Sequence, residues 1–135
     1  MNLGEIEWAK DPIEATKQYL SLVVEVIEWT GLEFEGAEPQ PLAIAKAYVA
    51  GAMEPIEYAA FAGPWWDYLE RTDQLREFGN REAVKARLAL CLLTVRPEES
   101  VRLEDHLSWF FQFLQKLGFS LDVPRAMMEQ RFGQL

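Results

Sequence analysis

The residue best suited to acid–base or metal chemistry is the only histidine, His106. An imidazole titrates near neutral pH and is a common metal ligand. Leu103 and Arg102 precede it by three and four residues, so neither the Glu-x-x-His of di-iron bundles nor the His-x-x-x-His of zinc proteases is present. We therefore expect a structural or surface role for His106, with general-base catalysis as the alternative, and no bound metal.

Acidic side chains occur in pairs, such as Glu25 with Glu28 and Glu33 with Glu35, but the partners are sequence neighbours. A hydrolase holds two carboxyl groups across a cleft in different environments, so that their pKa values separate. Neighbours on one polar helix face stay solvated instead. The glycine-rich nucleotide loops, Gly-x-Ser-x-Gly and Cys-x-x-Cys are also absent from the sequence. The sequence thus predicts a protein that is not an enzyme and has no cofactor.

The single cysteine, Cys91, lies inside the apolar run Leu88-Ala89-Leu90-Cys91-Leu92-Leu93. A thiol in such a run is typical of a small core side chain rather than of a nucleophile. One cysteine cannot form an intramolecular disulfide, which is the usual situation in the cytoplasm. The acidic N-terminus also lacks the basic segment of a signal peptide, and no apolar stretch approaches the ~20 residues of a membrane span. We expect a cytoplasmic protein outside the membrane.

Aromatic side chains are concentrated in two short segments. The first holds Tyr58, Phe61, Trp65, Trp66 and Tyr68, and the second holds Trp109, Phe110, Phe111 and Phe113. Adjacent residues of a helix point about 100° apart, so Trp65 and Trp66 cannot both face one core. One of them is expected to be partly exposed or to line a groove. The segments are interpreted either as a core packed on two sides or as an anchor at a partner or ligand site.

Negative charge is concentrated at the start of the chain. The net charge is −9, of which residues 1–38 contribute −7, whereas residues 81–135 have a net charge of +1. Nucleic acids and anionic membranes are poor partners for such a molecule, because they bind clustered Lys and Arg. The acidic stretch is interpreted either as a solvated helix face and loop or as a surface that attracts a basic protein. The candidate partner-binding residues are Glu25, Glu28, Glu33, Glu35, Glu38, Trp65 and Trp66.

Helix boundaries are marked by capping residues, proline and glycine. Asp11 and Pro12 predict the start of a first helix, and Gly31 its end. Its buried face is predicted to hold Ile13, Leu20, Val23, Val24 and Ile27. The later helices are expected at residues 41–50, from Pro55 onward with a kink or break at Gly63-Pro64, at 81–95 after the cap Asn80, from the cap Ser100 to Gly118, and after Asp122-Val123-Pro124 to about Phe132.

No segment shows the period-two alternation of a strand. The predicted fold is therefore all-α: a single domain, residues 1–135, built as an irregular or orthogonal bundle of about six helices. The helix at 81–95 is apolar enough to lie at its centre.

The chain contains, in this order, the segments Lys46-Ala47-Tyr48-Val49-Ala50-Gly51, Glu57-Tyr58, Trp65-Trp66-Asp67-Tyr68-Leu69, Lys85-Ala86-Arg87-Leu88-Ala89-Leu90-Cys91 and Asp105-His106-Leu107-Ser108-Trp109-Phe110. These five segments resemble those of small acidic bacterial proteins of toxin–immunity systems. The resemblance implies neutralisation of a toxin, often a basic nuclease, by occlusion of its active site. It assigns no individual binding residue.

Three functional hypotheses follow from the sequence. The first is an immunity-type inhibitor that binds a basic toxin through the acidic N-terminal third, with an exposed tryptophan as a further candidate contact. The second is a ligand-binding or enzymatic domain in which Trp65, Trp66, Trp109 and His106 surround an apolar pocket. The third is a structural subunit of a larger assembly.

Overall fold

The computed structural model describes residues 7–34, 38, 40–73 and 80–132 of the chain. Glu35 and the residues before Glu7, about which predictions were made, lie outside this part. The α-helices of the described residues are α1 (Pro12–Thr30), α2 (Pro41–Val49), α3 (Pro55–Ala59), α4 (Gly63–Arg71), α5 (Arg81–Leu93), α6 (Leu103–Lys116) and α7 (Asp122–Phe132). Because α3 and α4 are the two halves of the predicted third helix, the all-α bundle of about six helices is confirmed.

The first helix begins and ends where its capping residues predict. The Asp11 carboxylate accepts a hydrogen bond from the backbone N–H of Glu14 at 3.0 Å, which satisfies one of the free donors of the first turn. At the other end Gly31 has a φ of 70°, the left-handed conformation that glycine adopts without a steric penalty. The cap and the stop together define α1.

Asn80 caps α5 in the same manner, and its side-chain Oδ1 accepts from the backbone N–H of Glu82 at 2.8 Å. We expect Asn80→Ala to lower the free energy of unfolding by about 1 kcal/mol, because this N–H loses its partner. Asn80→Asp keeps an acceptor at the same position and is the matched control. Urea unfolding followed by circular dichroism measures both variants, and equal losses in the two would contradict the capping role.

The break predicted at Gly63-Pro64 is present. A 3₁₀ turn, Ala60–Ala62, follows α3, and α4 then begins at Gly63 with Pro64 in its first turn. Proline has no N–H to donate, and the first turn is where a helix needs none. The chain therefore interrupts its hydrogen-bond ladder just before the proline.

Two local predictions were wrong. Ile13 was placed on the buried face of α1 but is 37% exposed, because it lies in the first turn, at the edge of the bundle. Ser100 was expected to cap the fifth helix but lies within a second 3₁₀ turn, Pro97–Arg102. The α-helix starts only at Leu103, since the turn that follows Pro97 uses the tighter 3₁₀ geometry first.

The core is one cluster of buried side chains to which every α-helix contributes. Its centre is α5, which packs against α6, α2 and α4. Leu88, Ala89 and Leu92 of α5 are fully buried. The Tyr58 hydroxyl of α3 donates a 2.6 Å hydrogen bond to the carbonyl oxygen of Leu92, one of the last α5 carbonyls, which have no partner within the helix. This buried contact fixes α3 to the end of α5.

Candidate functional site

The outer face of α1 carries the first two predicted partner-binding residues, Glu25 and Glu28, on its solvent side. Both carboxylates form ion pairs within the fold. The Lys46 ammonium of α2 lies 2.5 Å from Glu28 Oε2, and Arg131 Nε of α7 donates to Glu25 Oε2 at 2.9 Å. Part of the negative charge of α1 is therefore balanced by neighbouring helices.

Two further predicted residues, Glu33 and Glu38, follow the end of α1 and are exposed. Glu38 Oε1 accepts a hydrogen bond from the Gln40 side-chain amide at 3.3 Å. Glu33 comes two residues after Gly31, so it extends the acidic surface beyond the helix end. The predicted acidic group thus has four described members, two of them on the helix and two after it.

An aromatic residue that the sequence reasoning missed, Trp29, lies on the same part of α1. Its side chain is 40% exposed, and its ring centroid is 5.9 Å from that of Phe119. Its position in the sequence could have identified it. Trp29 is nine residues after the buried Leu20, which at about 100° per residue places the two on opposite sides of the helix. It is four residues after Glu25, so these two residues lie on the same side. The exposed part of a large indole thus lies on the helix face that carries Glu25.

The two adjacent tryptophans separate as the helix geometry predicts, with one buried and one exposed. Trp66 is 41% exposed, whereas Trp65 is fully buried. The Trp65 ring contacts Phe34 edge-on at 6.2 Å and Tyr68 at the same distance. Trp65 is therefore a core residue, and its proposed place on a partner-binding surface is corrected, because a folded molecule offers none of it to a partner.

Trp66 lines a groove between α4, α5 and α6 with a volume of about 280 Å³, named here the aromatic groove. The described residues that line it are Trp66, Arg87, Leu90, Cys91, Thr94, His106, Trp109 and Phe113. Three of the four residues predicted around an apolar pocket, Trp66, Trp109 and His106, are thus brought together. The fourth, Trp65, lies in the core.

Arg87 was not predicted as a groove residue. Its guanidinium carbon lies 5.6 Å from the centroid of the Trp66 ring, a cation–π distance. The available signal was an arginine directly before the apolar run of α5, one turn before Cys91. On the opposite wall Trp109 is 55% exposed and stacks on Phe113 with centroids 5.9 Å apart.

His106 and Cys91 also line the aromatic groove. His106 is half-buried, with its ring 6.2 Å from that of Tyr19, and it borders a second groove of about 480 Å³ that includes Arg102 and Asp105. The Cys91 side chain is only partly buried by its neighbours, yet desolvation raises the pKa of its thiol to about 12, although Arg87 acts to lower it. The thiol is neutral at physiological pH, and this argues against a nucleophilic role.

Among the described residues no three His, Cys, Asp or Glu side chains are grouped so that they could hold a metal ion. None of the helices in this part of the chain combines the length and apolar character that crossing a bilayer requires. Comparison with protein-family models, curated proteins and solved structures gives no match.

Proposed function

We propose that this protein is an immunity-type inhibitor that binds a basic bacterial toxin in the cytoplasm through the exposed face of α1. The observation that carries the proposal is the grouping of Trp29 with Glu25 and Glu28 on that face, continued by Glu33. Tryptophan is enriched among the residues that dominate binding energy at protein interfaces. Carboxylates around it attract a cationic partner and speed its encounter.

The ion pairs on α1 are compatible with this role. The Lys46 and Glu28 side chains are 54% and 48% exposed. Exposed ion pairs contribute about 0–1 kcal/mol each, so a lysine or arginine of the toxin can replace the internal partner at small cost. The carboxylates are held in place before binding, which reduces the side-chain entropy lost on association.

The direct test uses the protein encoded by the reading frame immediately upstream, expressed in a bacterial host with and without this chain. We expect the upstream protein to arrest growth and co-expression of this chain to restore it. The purified pair should associate more slowly as salt is added, because screening weakens charge steering. An upstream product that is harmless, or whose toxicity this chain leaves unchanged, would contradict the proposed function.

The surface is tested by two double charge reversals with the same net charge. Glu28→Lys with Glu33→Lys changes α1 and the segment that follows it, whereas Asp67→Lys with Glu70→Lys changes exposed positions of α4. We expect the first pair to slow association with the toxin about tenfold or more at low salt, and the second to leave it within about twofold of the unmodified protein. Trp29→Ala should weaken affinity about thirtyfold through faster dissociation. If both double charge reversals slowed association equally, the attraction of the toxin would depend on the total charge of the protein rather than on the α1 face.

A further inference from the structure

The end of α7 already places a guanidinium on the exposed face of α1. Arg131 Nε donates to Glu25 Oε2 at 2.9 Å, and Arg131 Nη2 donates to the same oxygen. The side chains of Arg131 and Glu25 are 35% and 38% exposed, and ion pairs at such exposure contribute little net free energy. Glu25 therefore accepts a guanidinium in this position, and another guanidinium can replace the internal one at small cost.

The geometry of this ion pair leaves room for a better one. Two donors of Arg131 converge on Oε2, whereas the strongest arginine–carboxylate pairs place one N–H on each of the two oxygens. Arg131 approaches from a helix that is anchored by the buried Met128 and by the contact of Phe132 with Trp8, whose ring centroids are 5.1 Å apart. An arginine that arrives from solvent is free of this restraint and can bind both oxygens. A lysine ammonium is a point charge and cannot form the two-oxygen arrangement.

The surroundings of Glu25 have space for the side chain that would deliver this guanidinium. Two grooves, of about 350 and 280 Å³, are formed over α1 with α2 and α7, and both are lined by Ser21, Val49 and Arg131. The second groove includes Glu25, and Ala50 adds aliphatic surface to it. The methylene groups of an arginine pack on such surface while its charged end stays with a carboxylate. An incoming arginine can thus reach Glu25 along these grooves when Arg131 turns aside.

We propose that the partner of the α1 face inserts an arginine that takes the place of Arg131 on Glu25, so that Arg131 is an internal competitor of the partner. This inference rests on the proposed function, because it uses the same face, and it narrows the chemistry of the partner from a basic surface to a guanidinium. Glu28 is less selective. Its Oε2 accepts a hydrogen bond from Lys46 Nζ at 2.5 Å, a single contact that either a lysine or an arginine can replace.

The test uses the full-length protein and two peptides of equal length and charge, hexa-arginine and hexalysine, so it needs no toxin. The isotope-labelled protein is titrated with each peptide at about 0.15 M ionic strength and followed by NMR. We expect hexa-arginine to bind about threefold more tightly than hexalysine, because only a guanidinium binds both oxygens of Glu25. The amide resonances of Ser21, Glu25 and Val49 should shift in the same titration.

Removal of the internal competitor is tested by Arg131→Gln, with Arg125→Gln as the matched control. Both remove one positive charge from exposed positions of α7, but Arg125 lies about 9 Å from Arg131 along the helix axis, beyond the screening length of roughly 8 Å. We expect Arg131→Gln to tighten hexa-arginine binding about threefold and Arg125→Gln to change it by less than about 1.5-fold. Equal changes in the two variants, or weaker binding in Arg131→Gln, would overturn the proposal.

The carboxylate that selects the guanidinium is tested by a second matched pair. Glu25→Gln should abolish the preference for hexa-arginine over hexalysine, whereas Glu28→Gln, which removes the same charge one turn later, should preserve it. A preference that survives Glu25→Gln would also overturn the proposal. If co-expression restores growth but Arg131→Gln behaves like Arg125→Gln, the protein neutralises its toxin without a guanidinium on Glu25. If the peptide results are as expected and the upstream protein is harmless, the arginine site stands and toxin neutralisation fails.

Discussion

Trp65→Ala is expected to lower the free energy of unfolding by about 3–5 kcal/mol, whereas Trp66→Ala lowers it by about 1 kcal/mol. Trp65 is fully buried between Phe34 and Tyr68, so truncation leaves a large cavity in the core. Trp66 is 41% exposed and loses mainly its contact with Arg87. Two identical substitutions at adjacent positions thus differ by several kcal/mol.

Urea unfolding followed by far-ultraviolet circular dichroism measures both variants, because backbone ellipticity does not depend on the fluorophore that each variant removes. Trp65→Phe is the matched control, since it keeps a ring in the core and should recover part of the loss. Similar losses for Trp65→Ala and Trp66→Ala would mean that the two rings are buried to the same extent, contrary to the structure.

Helix geometry predicts that one of the adjacent tryptophans is exposed, and the residues one turn later show which. Trp65 is followed after four residues by Leu69, which is fully buried, whereas Trp66 is followed by the exposed Glu70. Positions i and i+4 share a helix face, so this pattern already distinguished the two faces. The sequence thus contained enough information to place Trp65 in the core.

How much of the surface of α1 is buried could not be predicted from the spacing of its own apolar residues. The predicted stripe left out Leu22 and Val26, which are both fully buried. Helix α1 is covered by α2, by α7 and by the 3₁₀ turn Pro97–Arg102, so more than one side of it is enclosed. The number of neighbours around a helix depends on segments far away in the chain, and it decides how much acidic face remains exposed.

The residues of the aromatic groove could likewise be predicted only in part. The sequence identified Trp66, Trp109 and His106 as groove residues, but α4, α5 and α6 come together only through packing between distant segments. Arg87 was missed because an arginine in an amphipathic helix is by default a solvated side chain. Its contact with Trp66 depends on where α4 packs on α5.

Alkaline pH is expected to destabilise the protein by roughly 5 kcal/mol between pH 9 and pH 11. Burial raises the pKa of Cys91 from its ordinary value of 9.0 to about 12 and also raises the pKa of Tyr19 and Tyr58. The native state therefore keeps these groups protonated at a pH where the unfolded chain releases their protons. Their contribution to the free energy of unfolding is complete below pH 9 and is lost as the pH rises. Each such group lowers the free energy of unfolding by about 1.4 kcal/mol per pH unit above its pKa in the unfolded chain.

The contribution of Cys91 is distinguished from those of Tyr19 and Tyr58 by the pH at which the loss of stability begins. Urea unfolding at pH 7, 9, 10 and 11 should show a decline from about pH 9 in the unmodified protein, and from about pH 10 in Cys91→Val, because unfolded tyrosines titrate near 10. Valine keeps the apolar volume of the site. A stability that stays constant up to pH 11 would contradict the raised pKa values of Cys91, Tyr19 and Tyr58.

The two tyrosines are distinguished at neutral pH by the hydrogen bonds of their hydroxyls. The Tyr58 hydroxyl donates to the Leu92 carbonyl, so Tyr58→Phe should cost about 1–2 kcal/mol at pH 7 by leaving a buried acceptor without this partner. The Tyr19 hydroxyl is buried and has no hydrogen-bond partner among the described residues. Tyr19→Phe therefore removes an unsatisfied polar group, and it should leave stability at pH 7 unchanged or higher while raising it clearly at pH 11. A loss of stability at pH 7 in Tyr19→Phe would show that this hydroxyl does have a partner in the folded protein.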